Sequence, residues 1–218
     1  MSIRTSSYAA ICAVTLLACG SANAAEPVTG FYVGGNAGQS RANINTGGIS
    51  AAVLSTGLVA AAGTTADETD TGFKLFGGYR FHPNFAVEAG YFKLGTFGFT
   101  TATVGPAATV AGSAENSSGF NIDLVVIAPI NEAFSLFGRV GAQTSKTTIS
   151  LAGVGAGGAA AISSSQTGSN YKAGVGMQYD FAKIGLRAEW ERYRIPGGSS
   201  GSSNADVDLF SLGVLYRF

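Results

Sequence analysis

Eight stretches of this 218-residue chain alternate large apolar residues with small or polar ones at every second position. In the stretch that begins at Phe73, the side chains of Phe73 and Leu75 share one face, and those of Lys74 and Phe76 share the other. A period of two is typical of a β-strand whose two faces meet different surroundings. The sequence therefore predicts an all-β fold.

The links between these stretches alternate in length. Three are short, at residues 82–84, 129–133 and 180–183, and four are longer, at residues 41–71, 95–119, 146–169 and 196–205. Short links at one end and long links at the other are typical of an outer-membrane barrel. We therefore expect an eight-stranded antiparallel transmembrane β-barrel with short periplasmic turns and four longer extracellular loops.

The low content of charged residues indicates which face of the strands contacts lipid. Charged residues make up 12% of the chain, about half the usual share, and 32 residues are Gly. A soluble barrel would bury its apolar face and leave the other face charged and wet. Here the second face is too poor in Lys and Glu for that, so we expect it to lie inside and the apolar face to contact lipid. The formal net charge of zero argues against a nucleic-acid partner.

The N-terminus predicts export through a cleaved signal peptide over residues 1–24. An apolar run over residues 8–18, too short to span a bilayer, leads to the small residues Ala22 and Ala24 of an A-x-A cleavage site. The barrel domain would then be residues 25–218, located in the outer membrane of a Gram-negative bacterium. The alternative is a lipoprotein in which Cys19 becomes the lipidated N-terminus, and the A-x-A site is the better match.

Seven charged residues fall on the faces predicted to point inward, and their signs nearly balance. Because unpaired charges inside a narrow barrel would be costly, we expect them to pair as a polar plug, in preference to lining a conducting path. The predicted interior network consists of Lys74, Glu88, Asp123, Arg139, Lys172, Arg187 and Glu189.

Four segments in order resemble the OmpA-type transmembrane domain and its OmpX-like small-barrel relatives. They are GFYVGGNAG at residues 30–38, GFKLFGGYRFHPNFAVEAGYFKLG at 72–95, LRAEWERY at 186–193 and SLGVLYRF at 211–218. The resemblance implies an eight-stranded outer-membrane barrel, without the peptidoglycan-binding domain that follows it in full-length OmpA-type proteins. Val125 and Gln178 stand where that family would place an interior Lys and Glu, so gating by salt-bridge exchange is not carried over.

In that family the last strand is read by the barrel assembly machinery. The alternating apolar residues that end in a terminal Phe match that pattern here, and the resemblance implies the same role for them. The predicted assembly signal is Phe210, Leu212, Val214, Tyr216 and Phe218.

No residues stand out as catalytic, cofactor-binding or metal-binding. The single His of the chain, His82, lies in a predicted turn beside Pro83, with no acid at catalytic spacing. We therefore expect no enzyme and no cofactor. The acidic residues Asp67, Glu68 and Asp70 could hold a divalent cation between lipopolysaccharide phosphates, and a solvated loop base is the simpler reading.

Three functions remain open from the sequence. The first is a structural barrel, expected to be monomeric, that contributes to envelope integrity and to surface interactions, with lipid and lipopolysaccharide around it. The second is a narrow, porin-like diffusion pore for small solutes. The third is a surface protein that acts as an adhesin through its loops, with a partner that the sequence does not name.

Deletion of Phe218 tests the assembly role of the last strand. We expect a loss of about 1–2 kcal/mol of folding stability, because a residue at the end of the sheet is only partly buried against lipid. Recognition before barrel closure should instead fail almost completely. Outer-membrane abundance in cells and urea unfolding of refolded protein measure the two effects. A stability loss in proportion to the loss of abundance would make Phe218 a packing residue only.

Overall fold

The computed structural model describes residues 29–44, 46–55, 60–105, 108–155, 158–197 and 203–218. The sequence-predicted leader, with Cys19, Ala22 and Ala24, lies outside these residues. Within them the elements are β1 (Gly30–Ala42), α1 (Thr46–Ser55), β2 (Ala61–Asp67), β3 (Thr69–His82), β4 (Phe85–Val104), β5 (Ala108–Pro129), β6 (Phe134–Gly155), β7 (Gly158–Phe181), β8 (Ile184–Gly197) and β9 (Ser203–Arg217).

The strands form one antiparallel sheet that closes on itself. β1 pairs with β3 on one edge and with β9 on the other. From β3 the pairings run through β4, β5, β6, β7 and β8 back to β9, so the ring has no gap. The predicted all-β antiparallel fold is confirmed, with α1 as the one helix among the described residues.

The sheet of the described residues contains nine strands, not the eight expected. The extra strand, β2, lies in the predicted loop 41–71 and pairs with the far end of β4, from Asp67 opposite Gly98 to Ala61 opposite Val104. β2 and β3 therefore pair with the same neighbour, β4, one after the other, and only Glu68 separates the two strands. The alternation within AAGTTAD is too weak in apolar residues to predict a strand from the sequence.

β4 has a bulge at Gly95, between the part that pairs with β3 and the part that pairs with β2. Gly95 has a φ of 90°, a left-handed conformation that favours Gly, and the register with β5 shifts on both sides of it. The carboxylate of Asp70 accepts hydrogen bonds from the backbone N–H groups of Thr71 and Thr96, at 2.7 and 2.6 Å. Asp70, predicted to belong to a loop-base acidic patch, thus holds the bulge in place.

Two of the predicted long loops are mostly β-strand. β4 extends to Val104 and β5 begins at Ala108, while β6 extends to Gly155 and β7 begins at Gly158. Their Ala, Gly, Ser and Thr residues keep the antiparallel ladder because backbone pairing does not need large side chains. We call this extension the wall. It comprises β2 with residues 97–104 of β4, 108–117 of β5, 147–155 of β6 and 158–171 of β7.

The outer face of the ring is apolar and the inner face holds the polar side chains. Leu75, Val175 and Leu212 are 56–68% exposed on the outside. Their chain neighbours Lys74 and Ser211 are buried. The alternation seen in the sequence thus separates an outer apolar band from a filled interior. No helix of the described residues is long and apolar enough to cross a membrane.

Two apolar clusters lie inside the ring. The lower cluster, toward the short turns, consists of Tyr32, Phe76, Ala86, Val125, Ile127, Phe137 and Leu215. The upper cluster, toward the wall, consists of Ala42, Phe92, Leu94, Phe97, Tyr193, Ile195, Val207 and Leu209, with Ile44 packed against it.

A charge on the outer band should cost stability according to its depth. Leu212 lies between Ala37 and Ala188 in the middle of the band. We expect Leu212→Arg to lower the free energy of unfolding in lipid vesicles by about 2–4 kcal/mol, and Gln39→Arg, at the polar margin, by about 0–1 kcal/mol. Equal losses in urea titrations of the two variants would contradict the assignment of this face to lipid.

Candidate functional site: a charged layer inside the barrel

The structure brings all seven residues of the predicted interior network together, and adds an eighth. Four cations and four anions are buried within the ring, and their side chains are 0–3% exposed. The added residue is Glu191 of β8. We call this set the charged layer: Lys74, Glu88, Asp123, Arg139, Lys172, Arg187, Glu189 and Glu191.

Arg139 of β6 is the centre of the charged layer. Its Nη1 lies 3.0 Å from Glu88 Oε2, 3.4 Å from Asp123 Oδ2 and 3.3 Å from Glu191 Oε1. Its Nη2 lies 2.8 Å from Glu189 Oε2. One guanidinium thus contacts four carboxylates from β4, β5 and β8, on opposite sides of the ring.

Glu191 joins the two lysines of the layer. Its Oε2 accepts from Lys74 Nζ at 2.8 Å and from Tyr193 Oη at 3.0 Å, and its Oε1 accepts from Lys172 Nζ at 2.6 Å. Glu191 was not among the residues predicted from the sequence, although Arg187, Glu189 and Glu191 share one strand face at a spacing of two. Continuing the alternation of β8 beyond Trp190 would have found it.

Two further contacts complete the layer on the side of the short turns. Arg187 Nη1 donates to Glu88 Oε1 at 2.8 Å, and Tyr32 Oη donates to the same oxygen at 2.8 Å. Gln178 Oε1 accepts from Arg187 Nε and Nη2 at 3.1 and 2.9 Å. Gln178 therefore takes part as a neutral acceptor, while Val125 belongs to the lower apolar cluster.

Apolar side chains enclose the charged layer from both ends. Along β4, Ala86 belongs to the lower cluster, Glu88 to the layer and Phe92 to the upper cluster. Arg187 also lies over the rings of Phe76 and Phe137, at 4.9 and 4.7 Å from their centroids. A water-filled path along the barrel axis would have to cross all three levels.

The charged layer links distant strands at an energetic cost. Burial removes water from each charge, and mutual attraction offsets that penalty only when every charge has partners of good geometry. Each of the eight residues has at least one oppositely charged partner within 3.4 Å. Since the partners come from different strands, the layer favours one register of the closed ring.

Glycine residues on neighbouring strands leave space for the side chains of the charged layer. A side chain at Gly141 would collide with the carboxylate of Asp123, and one at Gly213 would collide with Asn36. Asn36 in turn donates from Nδ2 to Glu189 Oε1. Glycine at these inward positions therefore makes room for the longer polar side chains opposite.

The residues of the predicted assembly signal lie on the outer face of β9. Phe210, Leu212, Val214 and Tyr216 are 43–68% exposed, and Phe218 follows the last strand residue with 71% exposure. The N–H of Phe218 donates to the carbonyl oxygen of Phe31 at 3.1 Å, which ties the C-terminus to β1.

Two of the remaining polar candidates, His82 and Glu68, have structural partners. His82 ends β3, and its Nδ1 accepts from the N–H of Asn84 at 3.2 Å in the turn. Glu68 accepts from Arg41 and from the N–H of Ile44, both at 3.4 Å. Asp67 lies apart, at an open cleft of about 610 Å³ on the wall that is lined mostly by Ala, Gly, Ser and Thr residues, with three larger apolar side chains. No cluster of metal ligands occurs within the described ranges.

The sequence matches a known family of membrane proteins over most of its length. The family model of the outer membrane protein β-barrel domain matches residues 10–218. The chain belongs to this family, which implies an outer-membrane location. No curated protein matches the chain in sequence.

Solved outer-membrane barrels are similar to the chain at low identity. Neisserial surface protein A is 16% identical, with 86% of this chain and 97% of that chain covered and a TM-score of 0.48. The attachment invasion locus protein Ail of Yersinia pestis is 18% identical, with 87% and 99% covered and a TM-score of 0.44. The outer membrane protease OmpT of Escherichia coli is 10% identical, with 86% and 96% covered and a TM-score of 0.43.

Removal of one charge from the layer should be far more costly than removal of an exposed charge. Glu191→Gln leaves Lys74 and Lys172 short of a buried partner, and we expect it to lower the free energy of unfolding by about 3–5 kcal/mol. Asp208→Asn breaks the exposed pair with Arg192 and is expected to cost about 0–1 kcal/mol. Urea unfolding in vesicles compares the two, and similar small losses would show that the layer does not hold the barrel together.

Proposed function

We propose that this protein is a closed, non-conducting barrel that contributes to the integrity of the outer membrane and presents its wall to the exterior. The observation that carries the proposal is the charged layer, enclosed between the lower and upper apolar clusters. A pore needs a continuous aqueous path, and the filled cross-section argues against the small-solute conduit.

The proposed arrangement in the membrane follows from the ring. The eight strands of the ring cross the bilayer, the short turns face the periplasm, and β2 stands outside with the rest of the wall. Because the ring leaves no unpaired edge at the level of the apolar band, we propose a monomer within the membrane. We propose neither an enzyme nor a cofactor, since the buried charges pair with one another and His82 serves a turn.

Lipopolysaccharide is the proposed partner at the outer boundary of the band. The guanidinium of Arg192 lies 5.3 Å from the centre of the Trp190 ring, and that of Arg194 lies 5.1 Å from the Tyr171 ring. Aromatic rings with cations directly above them suit the level of lipid headgroups, where phosphate groups attract arginine. The barrel assembly machinery is the proposed partner of the last strand during insertion.

A role in surface interactions is the second candidate function, and the wall favours it. The strands β4 to β7 continue beyond the level where β1 ends, as an ordered antiparallel sheet. An ordered sheet can present backbone groups and side chains to another surface at low entropic cost.

Planar-bilayer recordings test the closed barrel. We expect the purified, refolded protein to show no steady conductance above that of the lipid alone, because the charged layer and both apolar clusters fill the interior. A general porin in the same lipid serves as the positive control. Stable unit conductance steps from protein that runs as a folded, heat-modifiable species on gels would overturn the proposal.

A further inference from the structure

We propose that the free edge of β7, over residues 158–171, binds the same edge of a second copy of this chain that projects from a facing outer membrane. The wall would then join two cells or vesicles through a continuous antiparallel sheet. This inference rests on the proposed function in one respect, that the wall stands outside the cell.

The free edge is visible in the strand registers. β7 pairs with β6 over its whole length, from Phe134 opposite Tyr179 to Gly155 opposite Gly158. Its pairing with β8 reaches only to Lys172 opposite Tyr193. Within the described residues, the backbone groups of residues 158–171 on the far side of β6 therefore have no strand to pair with.

The composition of this edge leaves it open to pairing. The segment GAAAISSSQTGSNY contains no charged residue and no Pro, and most of its residues are exposed. Natural proteins protect edges with Lys, Pro, bulges or a covering element, and among the described residues none of these is present along residues 158–171. The edge at β2 is different, because it is shorter, ends at Asp67, and has α1 beside it through the hydrogen bond between Ser50 and Thr64 at 2.8 Å.

A second copy fits this edge because the edge has nothing that would repel itself. When identical antiparallel strands pair about a two-fold axis, a charged residue near that axis lies close to its own copy, which is unfavourable. Residues 158–171 avoid this completely. Cross-strand hydroxyl pairs already occur on this face, between Thr148 and Ser165 at 3.1 Å and between Ser150 and Ser163 at 3.3 Å. The same Ser residues can pair across a new boundary.

Symmetry then requires the second copy to lie in a facing membrane. Two identical antiparallel strands are related by a two-fold axis perpendicular to their sheet, and the wall of a barrel stands upright on the membrane. That axis therefore lies parallel to the membrane and inverts the second copy. Two copies in one membrane would be related by an upright axis, and barrel strands tilted by about 35–45° would then cross at roughly 70–90°, too far apart in direction to form a ladder.

Nanodiscs that each hold one barrel test the pairing, because two discs can approach with opposite orientations. We expect the mass measured by sedimentation to double as the concentration rises. The double variant Ser163→Lys/Ser165→Lys places like charges on the edge, and we expect its dissociation constant to rise about tenfold. A matched control, Thr148→Lys/Ser150→Lys, puts the same charges on the cross-strand partners in β6, which is paired on both sides. This control should still pair.

A charge exchange makes the test specific to this edge. Discs with Ser163→Glu/Ser165→Glu should pair with the lysine-variant discs and not with themselves. Wild-type discs that stay single, or a β6 control that loses pairing as the β7 variant does, would overturn the proposal. So would dimers that form only between two copies in one larger disc. Heat-modifiable mobility and the absence of conductance, measured on the same preparations, report separately on the closed barrel.

Discussion

The closure of the sheet between β4 and β5 is the constraint on which the rest of this structure depends. A backbone N–H or C=O group that faces lipid without a partner costs several kcal/mol, so a spanning sheet has to leave no open edge. Closure also creates an interior that lipid does not reach. The outer band can therefore consist of apolar side chains, while every polar group that the inward positions carry needs a partner within the ring.

The charged layer provides those partners for the charged side chains inside the ring. Four cations and four anions form ion pairs across the barrel, with Arg139 in contact with four carboxylates. Polar neighbours such as Tyr32, Asn36 and Gln178 supply further hydrogen bonds. Apolar side chains then close both sides of the layer. The same packing that links the strands also fills the interior between the two apolar clusters.

Above the ring, the requirement for closure no longer holds. Water can satisfy an open strand edge, and β7 continues past the end of its pairing with β8. The wall can therefore remain an open sheet, with one edge next to α1 and the other without a pairing strand among the residues that the structure describes.

The sequence by itself determined the fold class, the two faces of the strands and seven of the eight members of the charged layer, because alternation at a period of two is a local property of the chain. Even Glu191 follows from that period, once the strand is extended far enough. The tertiary structure alone decided which charges pair, since Arg139 and Glu88 are far apart in sequence and meet only when the ring closes. It also decided that β2 pairs with the same neighbour as β3 and that two expected loops are strands. Segments of Ala, Gly, Ser and Thr carry little periodic signal, and they become strands because a neighbouring strand offers its backbone.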